Sequence, residues 1–273
     1  MSTTQAGSAS CRSLLAAALS SSEPADKVRL TLALARRVRD EQPDLSGVHE
    51  AAVVGRPVLP RLVHPTQVPR RRLGSRTGHA ALVHAVAHIE FNAINLALDA
   101  AWRFEHMPAA YYHDWVSVAA QEATHFAMMN AHLAALDHAY GDFDAHDGLW
   151  QMAEQTAADV MVRMALVPRV LEARGLDVTP GMRARLDRIG DTRGVEILDV
   201  IARDEVGHVA IGTYWFRHAC AKRRLDPDRT FQQLLCDNLP QLPRGPFALE
   251  ARSRAGFSAG ELEWLQSNGE PPG

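Results

Sequence analysis

The sequence predicts an all-α protein whose core is an antiparallel bundle of four long helices. From Gly78 onward, long segments rich in alanine, leucine and valine alternate with short breaks marked by proline and glycine. The chain has 273 residues, of which 47% are hydrophobic, enough for one sizeable core without a second domain. We therefore expect one helical bundle with an extended proline-rich N-terminal arm and extra helices near the two ends of the chain.

The region before the bundle has two parts. Residues 1–24 are small and polar, and we expect them to be disordered. Residues 25–77 are expected to form an N-terminal helix at 25–42 and then an arm. The repeated prolines in PVLPRLVHPTQVPRRR exclude a helix and favour an extended chain that lies over the bundle surface.

The bundle is expected to occupy residues 78–223. Breaks at Met107-Pro108, around the GDFDAHDG loop and after Gly175 divide it into segments. The predicted long helices, with a short additional helix near 180–189, are 78–105, 109–140, 147–174 and 191–223. Residues 224–273 are expected to be a C-terminal extension that packs on the bundle or is partly disordered, with Ser258 as the N-cap of its last helix.

Charge and cysteine content bear on partners and location. The net charge is −3 and the two signs are mixed, which does not favour a nucleic acid or an anionic membrane as partner. The basic run at residues 70–72 is more typical of a solvated arm than of an RNA site. Three cysteines without a CxxC pair suit a reducing compartment, so we expect a cytoplasmic protein. We expect no apolar stretch to approach the roughly 20 residues of a membrane span.

Two copies of the pattern Glu-x-x-His stand out within the predicted helices. The stretch QEATHF contains Glu122 and His125, and DEVGHVAIG contains Glu205 and His208. Residues three apart share one face of a helix, and the neighbours on both faces are apolar. Glu90 lies in a similar apolar setting in HAVAHIEFNAINLAL. Because a buried carboxylate without a partner is costly, their convergence in a bundle core indicates a pair of divalent metal ions.

The third long helix is expected to supply one more carboxylate, from Glu172 or Glu154. The two are 18 residues apart, or five helical turns, and so occupy the same face. Two ligands at the same level of an antiparallel helix pair should be about equally far from the turn between the helices. The midpoint between Glu122 and Glu172 is position 147, beside the GDFDAHDG loop, which favours Glu172. The midpoint between Glu122 and Glu154 is position 138, inside the second helix. Glu154 stays open as the alternative ligand. Pro168 is expected to distort the helix close to Glu172.

These residues resemble the ligand set of the ferritin-like di-iron carboxylate superfamily, in which two helices each provide a Glu and two each provide Glu-x-x-His. The resemblance implies a ferritin-like four-helix bundle with six metal ligands, Glu90, Glu122, His125, Glu172, Glu205 and His208. From about Pro57 to Leu265, the chain also resembles a bacterial family of ferritin-like proteins of unassigned function. The segment LEARG followed by Glu-x-x-His is similar, over a shorter stretch, to the tRNA-modifying di-iron monooxygenase that hydroxylates a prenylated adenosine.

Departures from individual relatives narrow the implied activity. Two Glu-x-x-His copies resemble the oxygen-activating branch more than the iron-storage branch. Met129 stands where the ribonucleotide reductase small subunit has a radical tyrosine, and the chain lacks the CxxC module of rubrerythrin. The resemblance thus implies an enzyme, a di-iron or manganese/iron oxidoreductase. Its expected partners are O2, an external electron donor and an unidentified small molecule or modified nucleoside.

Other expectations follow from the same resemblance. Asp204 resembles the aspartate that orients a ligand histidine in di-iron proteins, here His125, and Gln121 occupies the matching place before the other motif. His84 and His88 are expected to pack or to support the ligands. Two functional alternatives stay open, a ferroxidase-like or peroxide-scavenging metal protein without an organic substrate, and a helical interaction module that keeps only the scaffold. A homodimer also stays open.

Overall fold

Helices make up the regular structure in the computed structural model, which describes residues 10–43, 45, 53–69 and 71–269. The prediction of an all-α protein is confirmed for these residues, which contain one isolated β-bridge, between Leu62 and Ala145. In chain order the helices are α1 (Cys11–Ser20), α2 (Pro24–Glu41), α3 (Arg76–Arg103), α4 (Ala109–Ala135), α5 (Gly148–Gln155), α6 (Val160–Leu166), a π-helical segment (Val167–Glu172), α7 (Ala173–Arg188), α8 (Thr192–Arg223), α9 (Pro227–Asn238), α10 (Leu249–Arg254) and α11 (Ala259–Asn268).

Helix α1 corrects the prediction that residues 1–24 are disordered, of which 1–9 lie outside the described residues. Its apolar side is buried, through Cys11, Leu15, Ala18 and Leu19. Lys27 of α2 is fully buried, and its Nζ donates at 2.8 Å to the carbonyl oxygens of Ala18 and Leu19, which satisfies the C-terminal end of α1. Burial lowers the pKa of this amine to about 7. The first two helices are therefore joined by a buried polar contact as well as by apolar packing.

The longest described stretch of the arm, residues 53–69, contains no α-helix, as its prolines predict, and has a short 3-10 turn at Pro65–Gln67. Two ion pairs hold it against the loop between α4 and α5. Arg61 Nη2 lies 2.6 Å from Asp144 Oδ2, and Arg56 Nη1 lies 2.7 Å from Asp147 Oδ2. Residues 44, 46–52 and 70, which also belong to the predicted arm, lie outside the described residues.

Helices α3, α4 and α8 form the centre of the molecule, close to the predicted boundaries. Helix α3 packs along α4, α4 packs on α2 and α8, and α8 packs on α6, the π-helical segment and α7. The predicted end of α4 at residue 140 is late, because the helix ends at Ala135 and a turn follows.

Helix α3 is long and apolar enough to cross a membrane by length and composition, so the expectation that no stretch approaches this length is wrong. However, 72% of its most apolar window of 18 residues is buried inside the protein. It also carries buried polar groups, among them Glu90, Asn92 and Asp99. These features identify α3 as a core helix in this structure.

The third predicted helix, 147–174, is divided differently. Helix α5 ends at Gln155, and a helical stretch then runs from Val160 to Arg188 through α6, the π-helical segment and α7. Both the single helix and the separate short helix near 180–189 are therefore wrong. Asp159 ends the break by accepting a hydrogen bond from the N–H of Met161 at 2.8 Å. Pro168 lies inside the π-helical segment, which confirms the predicted distortion.

The C-terminal extension packs on the core up to residue 269, and residues 270–273 lie outside the described residues. Its anchor is Arg169 of the π-helical segment, a fully buried side chain whose Nη2 donates to Glu261 Oε1 at 2.6 Å. The guanidinium also lies over three aromatic rings, at 4.0 to 4.7 Å from their centroids, those of Phe216, Phe231 and Phe257. Ser258 caps α11, as predicted, in a capping box with Glu261.

Candidate metal centre

Six buried side chains meet between α3, α4, α8 and the π-helical segment. Each is at most 9% exposed, and the six are Glu90, Glu122, His125, Glu172, Glu205 and His208. We call this set the Glu/His centre. Its members are the six residues that the sequence predicts as ligands, so four separate segments of the chain bring them to one place.

Five of these residues form two overlapping groups of three. One oxygen or nitrogen from each of Glu90, Glu122 and His125 lies within 4.8 Å of the others, and the same is true of Glu122, Glu205 and His208. Glu122 belongs to both groups. The arrangement can therefore hold two metal ions with one carboxylate between them.

Both histidines direct Nδ1 inward and Nε2 outward. Nδ1 of His125 lies 3.2 Å from an oxygen of Glu90 and 3.2 Å from one of Glu122. Nδ1 of His208 lies 2.9 Å from Glu122 Oε1 and 3.8 Å from Glu205 Oε2. Each inward nitrogen thus faces the carboxylates, in the position of a metal ligand.

The outward nitrogens are held by the two residues expected to do so. Nε2 of His125 lies 3.2 Å from Asp204 Oδ2, and Nε2 of His208 lies 2.6 Å from Gln121 Oε1. Because an amide or carboxylate oxygen accepts, each Nε2 donates its proton outward, and a neutral imidazole held in this way would present the lone pair of Nδ1 to a metal ion. Each histidine is positioned by the residue that directly precedes the glutamate of the other motif.

Several inward atoms of the Glu/His centre lack hydrogen-bond partners. The 2.9 Å contact between His208 Nδ1 and Glu122 Oε1 does not have hydrogen-bond geometry, so both atoms are unpaired. One oxygen of each of three other carboxylates is also buried and unpaired, those of Glu90, Glu172 and Glu205. Buried polar atoms are normally paired, so this set marks a place where a ligand is expected.

The electrostatics of the metal-free centre favour retained protons on three carboxylates. Burial, together with the charges of Glu205 and Glu122, raises the pKa of Glu172 to about 8. Burial and the charge of Glu122 also raise the pKa of Glu90 well above its ordinary value and raise that of Glu205. Without cations, the crowded carboxylates cannot all ionise.

The pKa values of Glu122 and of the two histidines shift against the effect of burial. Burial alone would raise the pKa of Glu122, but the imidazoles of His208 and His125 lower it below its ordinary value. Burial alone would lower the pKa of His125, but its contacts with Glu122 and Glu90 raise it to about 10. The pKa of His208 is likewise raised, against the effect of burial, by Glu122 and Glu205. Protons therefore supply the positive charge that metal ions would supply.

The structure distinguishes the two candidates for the last carboxylate. Glu172 ends the π-helical segment, and it is close enough to Glu205 and Glu122 for their charges to raise its pKa. Glu154 is exposed on α5 and accepts a hydrogen bond from Trp150 Nε1 at 3.0 Å. Glu154 is therefore wrong as the alternative ligand, because the break after α5 removes it from the face that carries Glu172.

A glycine on α8 lets the π-helical segment approach closely. A Cβ added at Gly212 would lie 2.3 Å from Cβ and 2.4 Å from Cγ of Pro168. No real side chain could fit there without displacing the segment. Gly212 thus helps to set the position of Glu172, which lies one helical turn after Pro168.

His84 and His88 pack, as expected, and are not part of the Glu/His centre. Nε2 of His84 accepts from the N–H of Gly141 at 3.0 Å, and its ring stacks on Tyr140 with centroids 5.3 Å apart. Nδ1 of His88 lies 2.8 Å from the Tyr140 hydroxyl. Burial lowers the pKa of both imidazoles to about 4, so they are neutral near pH 7.

The chain is similar in sequence to known proteins over most of its length. A family model described as "Protein of unknown function (DUF455)" matches residues 20–263. The chain belongs to the DUF455 family. An "Uncharacterized protein" of Haemophilus influenzae is 49% identical over 216 residues, which cover 77% of this chain and 75% of that protein. No solved structure matches the chain. The DUF455 region extends from before α2 into α11, so it contains the whole Glu/His centre.

This DUF455 chain contains a second group of metal-ligating side chains, which the sequence analysis missed. His79 of α3, His132 of α4 and Asp191, the N-cap of α8, bring ligand atoms within 4.8 Å of one another. His79 lies 11 residues before Glu90, His132 lies 7 residues after His125, and Asp191 lies 14 residues before Glu205. Each spacing is close to a whole number of helical turns, so each pair shares one face of its helix. This periodicity could have revealed the group.

Proposed function

We propose that this protein is a non-haem di-iron oxidoreductase on a ferritin-like four-helix bundle formed by α3, α4, α8 and the stretch from α6 to α7. One observation carries the proposal. Two Glu-x-x-His motifs face each other across α4 and α8, with each histidine Nδ1 directed at carboxylates and each Nε2 held by the opposite motif. This donor set and its symmetry are those of dinuclear carboxylate sites in helical bundles.

The residues of the Glu/His centre fit two divalent cations. Four ionised carboxylates carry four negative charges, which two divalent cations would balance with neutral histidines. Cations would also provide partners for the unpaired carboxylate oxygens and for His208 Nδ1. Oxygen and imidazole donors suit iron and manganese, so a manganese/iron pair is the alternative composition.

Each residue has a definite role in this proposal. Glu90 and His125 would hold one ion, Glu205 and His208 the other, and Glu122 both, with Glu172 completing the set. When bound, such a pair of ferrous ions supplies the electrons that reduce O2 so that an organic substrate can be oxidised.

Two outer contacts and the apolar surroundings would prepare the centre for this chemistry. Asp204 and Gln121 keep the two Nδ1 lone pairs directed inward, which fixes the tautomer and orientation of each imidazole. Buried apolar side chains around the motifs, among them Ile94, Phe126, Met129 and Val209, exclude bulk water. The chain itself would thus bind, orient and dehydrate the site.

The substrate class in this proposal is a small molecule or a modified nucleoside, and the electrons for repeated turnover come from an external donor. We also propose a cytoplasmic location. Cys11, Cys220 and Cys236 are all free thiols, which suits a reducing compartment.

The proposal is tested by O2 uptake. Metal-free protein is loaded anaerobically with Fe(II), freed of excess iron, and mixed with O2 and a chemical electron donor, while O2 is followed with an electrode. We expect sustained uptake by the native chain and by Glu154→Gln, and its loss in Glu205→Ala. Uptake no faster than that of the donor and the same concentration of free iron would contradict the proposal.

A further inference from the structure

The His/Asp cluster, composed of His79, His132 and Asp191, joins the beginning of α3, the end of α4 and the beginning of α8. Nε2 of His79 lies 2.6 Å, and Nε2 of His132 lies 2.9 Å, from the same oxygen, Asp191 Oδ2. The two rings are inclined by 62°, with centroids 6.0 Å apart, so they do not stack on each other. Three helices thus direct one oxygen and two nitrogens to a common point.

We propose that the His/Asp cluster is a separate binding site for one divalent transition-metal ion. Two imidazoles and one carboxylate are a donor set that binds Zn(II) or Fe(II) and leaves coordination positions for water or another ligand. The helical rise places this cluster roughly 10 to 20 Å along the helices from the Glu/His centre, too far to share an ion with it.

The surroundings of Asp191 keep it in the ligand form. Burial alone would raise its pKa, but a hydrogen bond from the N–H of Gly194 at 2.8 Å and the two imidazoles lower it. Gly194 also leaves room for the carboxylate, since a Cβ at this position would lie 2.3 Å from Asp191 Oδ2. The oxygen that faces the histidines is therefore anionic and has a fixed position.

The cluster has a route to solvent on one side. The side chain of His79 is 17% exposed, whereas those of His132 and Asp191 are each 6% exposed. An ion could enter beside His79 without passing the Glu/His centre. Because it would connect three helix ends, the bound ion would also stabilise the folded chain, as any ligand specific to the folded state does.

The test uses Zn(II) bound per chain, measured by elemental analysis after a metal-free sample is loaded with Zn(II) and desalted. The variants are His79→Ala and Asp191→Asn, because asparagine caps a helix about as well as aspartate and so preserves the start of α8. The control is His138→Ala, which removes another partly exposed histidine that contacts an aspartate, Asp142, at 3.1 Å. Circular dichroism establishes that each variant is folded.

We expect His79→Ala and Asp191→Asn each to bind one Zn(II) fewer than the native chain and His138→Ala, and to lose part of the rise in Tm that Zn(II) produces. Equal zinc content in the native chain and both variants, with an equal rise in Tm, would overturn the proposal. The two metal sites are distinguishable. A single zinc that His79→Ala removes would support the His/Asp cluster and count against the dinuclear centre. A native chain that binds two zincs and keeps both in His79→Ala would support the dinuclear centre and count against the His/Asp cluster.

Discussion

Nε2 of His125 on α4 lies 3.2 Å from Oδ2 of Asp204 on α8, and this contact connects the two Glu-x-x-His motifs. The reciprocal contact, from His208 to Gln121, makes the pair of motifs nearly symmetric. Each motif therefore contributes two ligands and also positions a ligand of the other. Damage to one motif is expected to affect both halves of the Glu/His centre.

Asp204→Ala is expected to weaken metal binding without removing a ligand. Loss of the acceptor lets the His125 ring rotate and change tautomer, which typically costs about 10- to 100-fold in affinity. The measurement is a Mn(II) titration in competition with a chelator of known affinity. Arg203→Ala is the matched control, because Arg203 is the other partner of Asp204, at 2.9 Å, and does not contact the histidine. Unchanged affinity in Asp204→Ala, or an equal loss in Arg203→Ala, would contradict the role of Asp204 as the acceptor that orients His125.

Glu172→Gln is expected to stabilise the metal-free protein while impairing metal binding. The pKa of Glu172 is about 8 in the folded chain and near 4.5 when unperturbed. Below pH 4.5 the group is protonated in both the folded and unfolded chains. Between pH 4.5 and 8 it ionises more readily in the unfolded chain, so the native protein loses stability as the pH rises.

Glutamine is neutral throughout this range, so the Tm advantage of the metal-free Glu172→Gln variant should grow from pH 5 to pH 8. A rise of several degrees is expected, since about 1 kcal/mol shifts Tm by roughly 2–4 °C in chains of this size. Thermal unfolding followed by circular dichroism gives the comparison. Glu154→Gln, at an exposed position, should change Tm little at any pH. A destabilised Glu172→Gln variant at pH 8 would show that the carboxylate is not under repulsion.

Gly212→Ala is expected to displace the π-helical segment. Its new Cβ would overlap with Pro168, and overpacking of this kind typically costs about 1–3 kcal/mol. Because Glu172 lies in the same segment, Mn(II) affinity should fall together with the free energy of unfolding. Gly207→Ala on the same helix is the control, since a Cβ there meets no atom within 4 Å and alanine favours the helix. Unchanged stability and affinity in Gly212→Ala would contradict this role of the glycine.

Periodicity and capping predicted the long central helices because these helices bury one continuous apolar face. The same patterns predicted five members of the Glu/His centre, four because Glu-x-x-His spacing places both residues on one helix face, and Glu90 because it lies on an apolar face. Helix α1 was missed because serine and alanine dominate its surroundings, although Leu15 and Leu19 have helical spacing. The break at residues 156–159 was missed because it contains no proline or glycine.

Contacts between segments that are distant in the sequence determine two features, the position of Glu172 and the His/Asp cluster. The choice of Glu172 from the sequence assumed that α4 and one continuous third helix form a hairpin. In the structure, Glu172 instead lies in a π-helical segment whose position depends on contacts of Gly212 and Arg169. The His/Asp cluster joins residues from three helices, including Asp191, whose local pattern indicates only an N-cap. Helical spacing from Glu90, His125 and Glu205 indicates a shared face for these residues, and the packing of the three helices brings their ligand atoms together.

The central claim is that Glu122 and its neighbours bind two metal ions, and iron content tests it most directly. The measurement is Fe per chain after anaerobic loading and desalting, in a His79→Ala background that disables the His/Asp cluster. We expect about two irons per chain, as dinuclear carboxylate sites hold, with the same content in Glu154→Gln. Glu122→Gln, which preserves side-chain volume, should hold less than one. One iron or none in the His79→Ala background, or two irons retained after Glu122→Gln, would contradict the account.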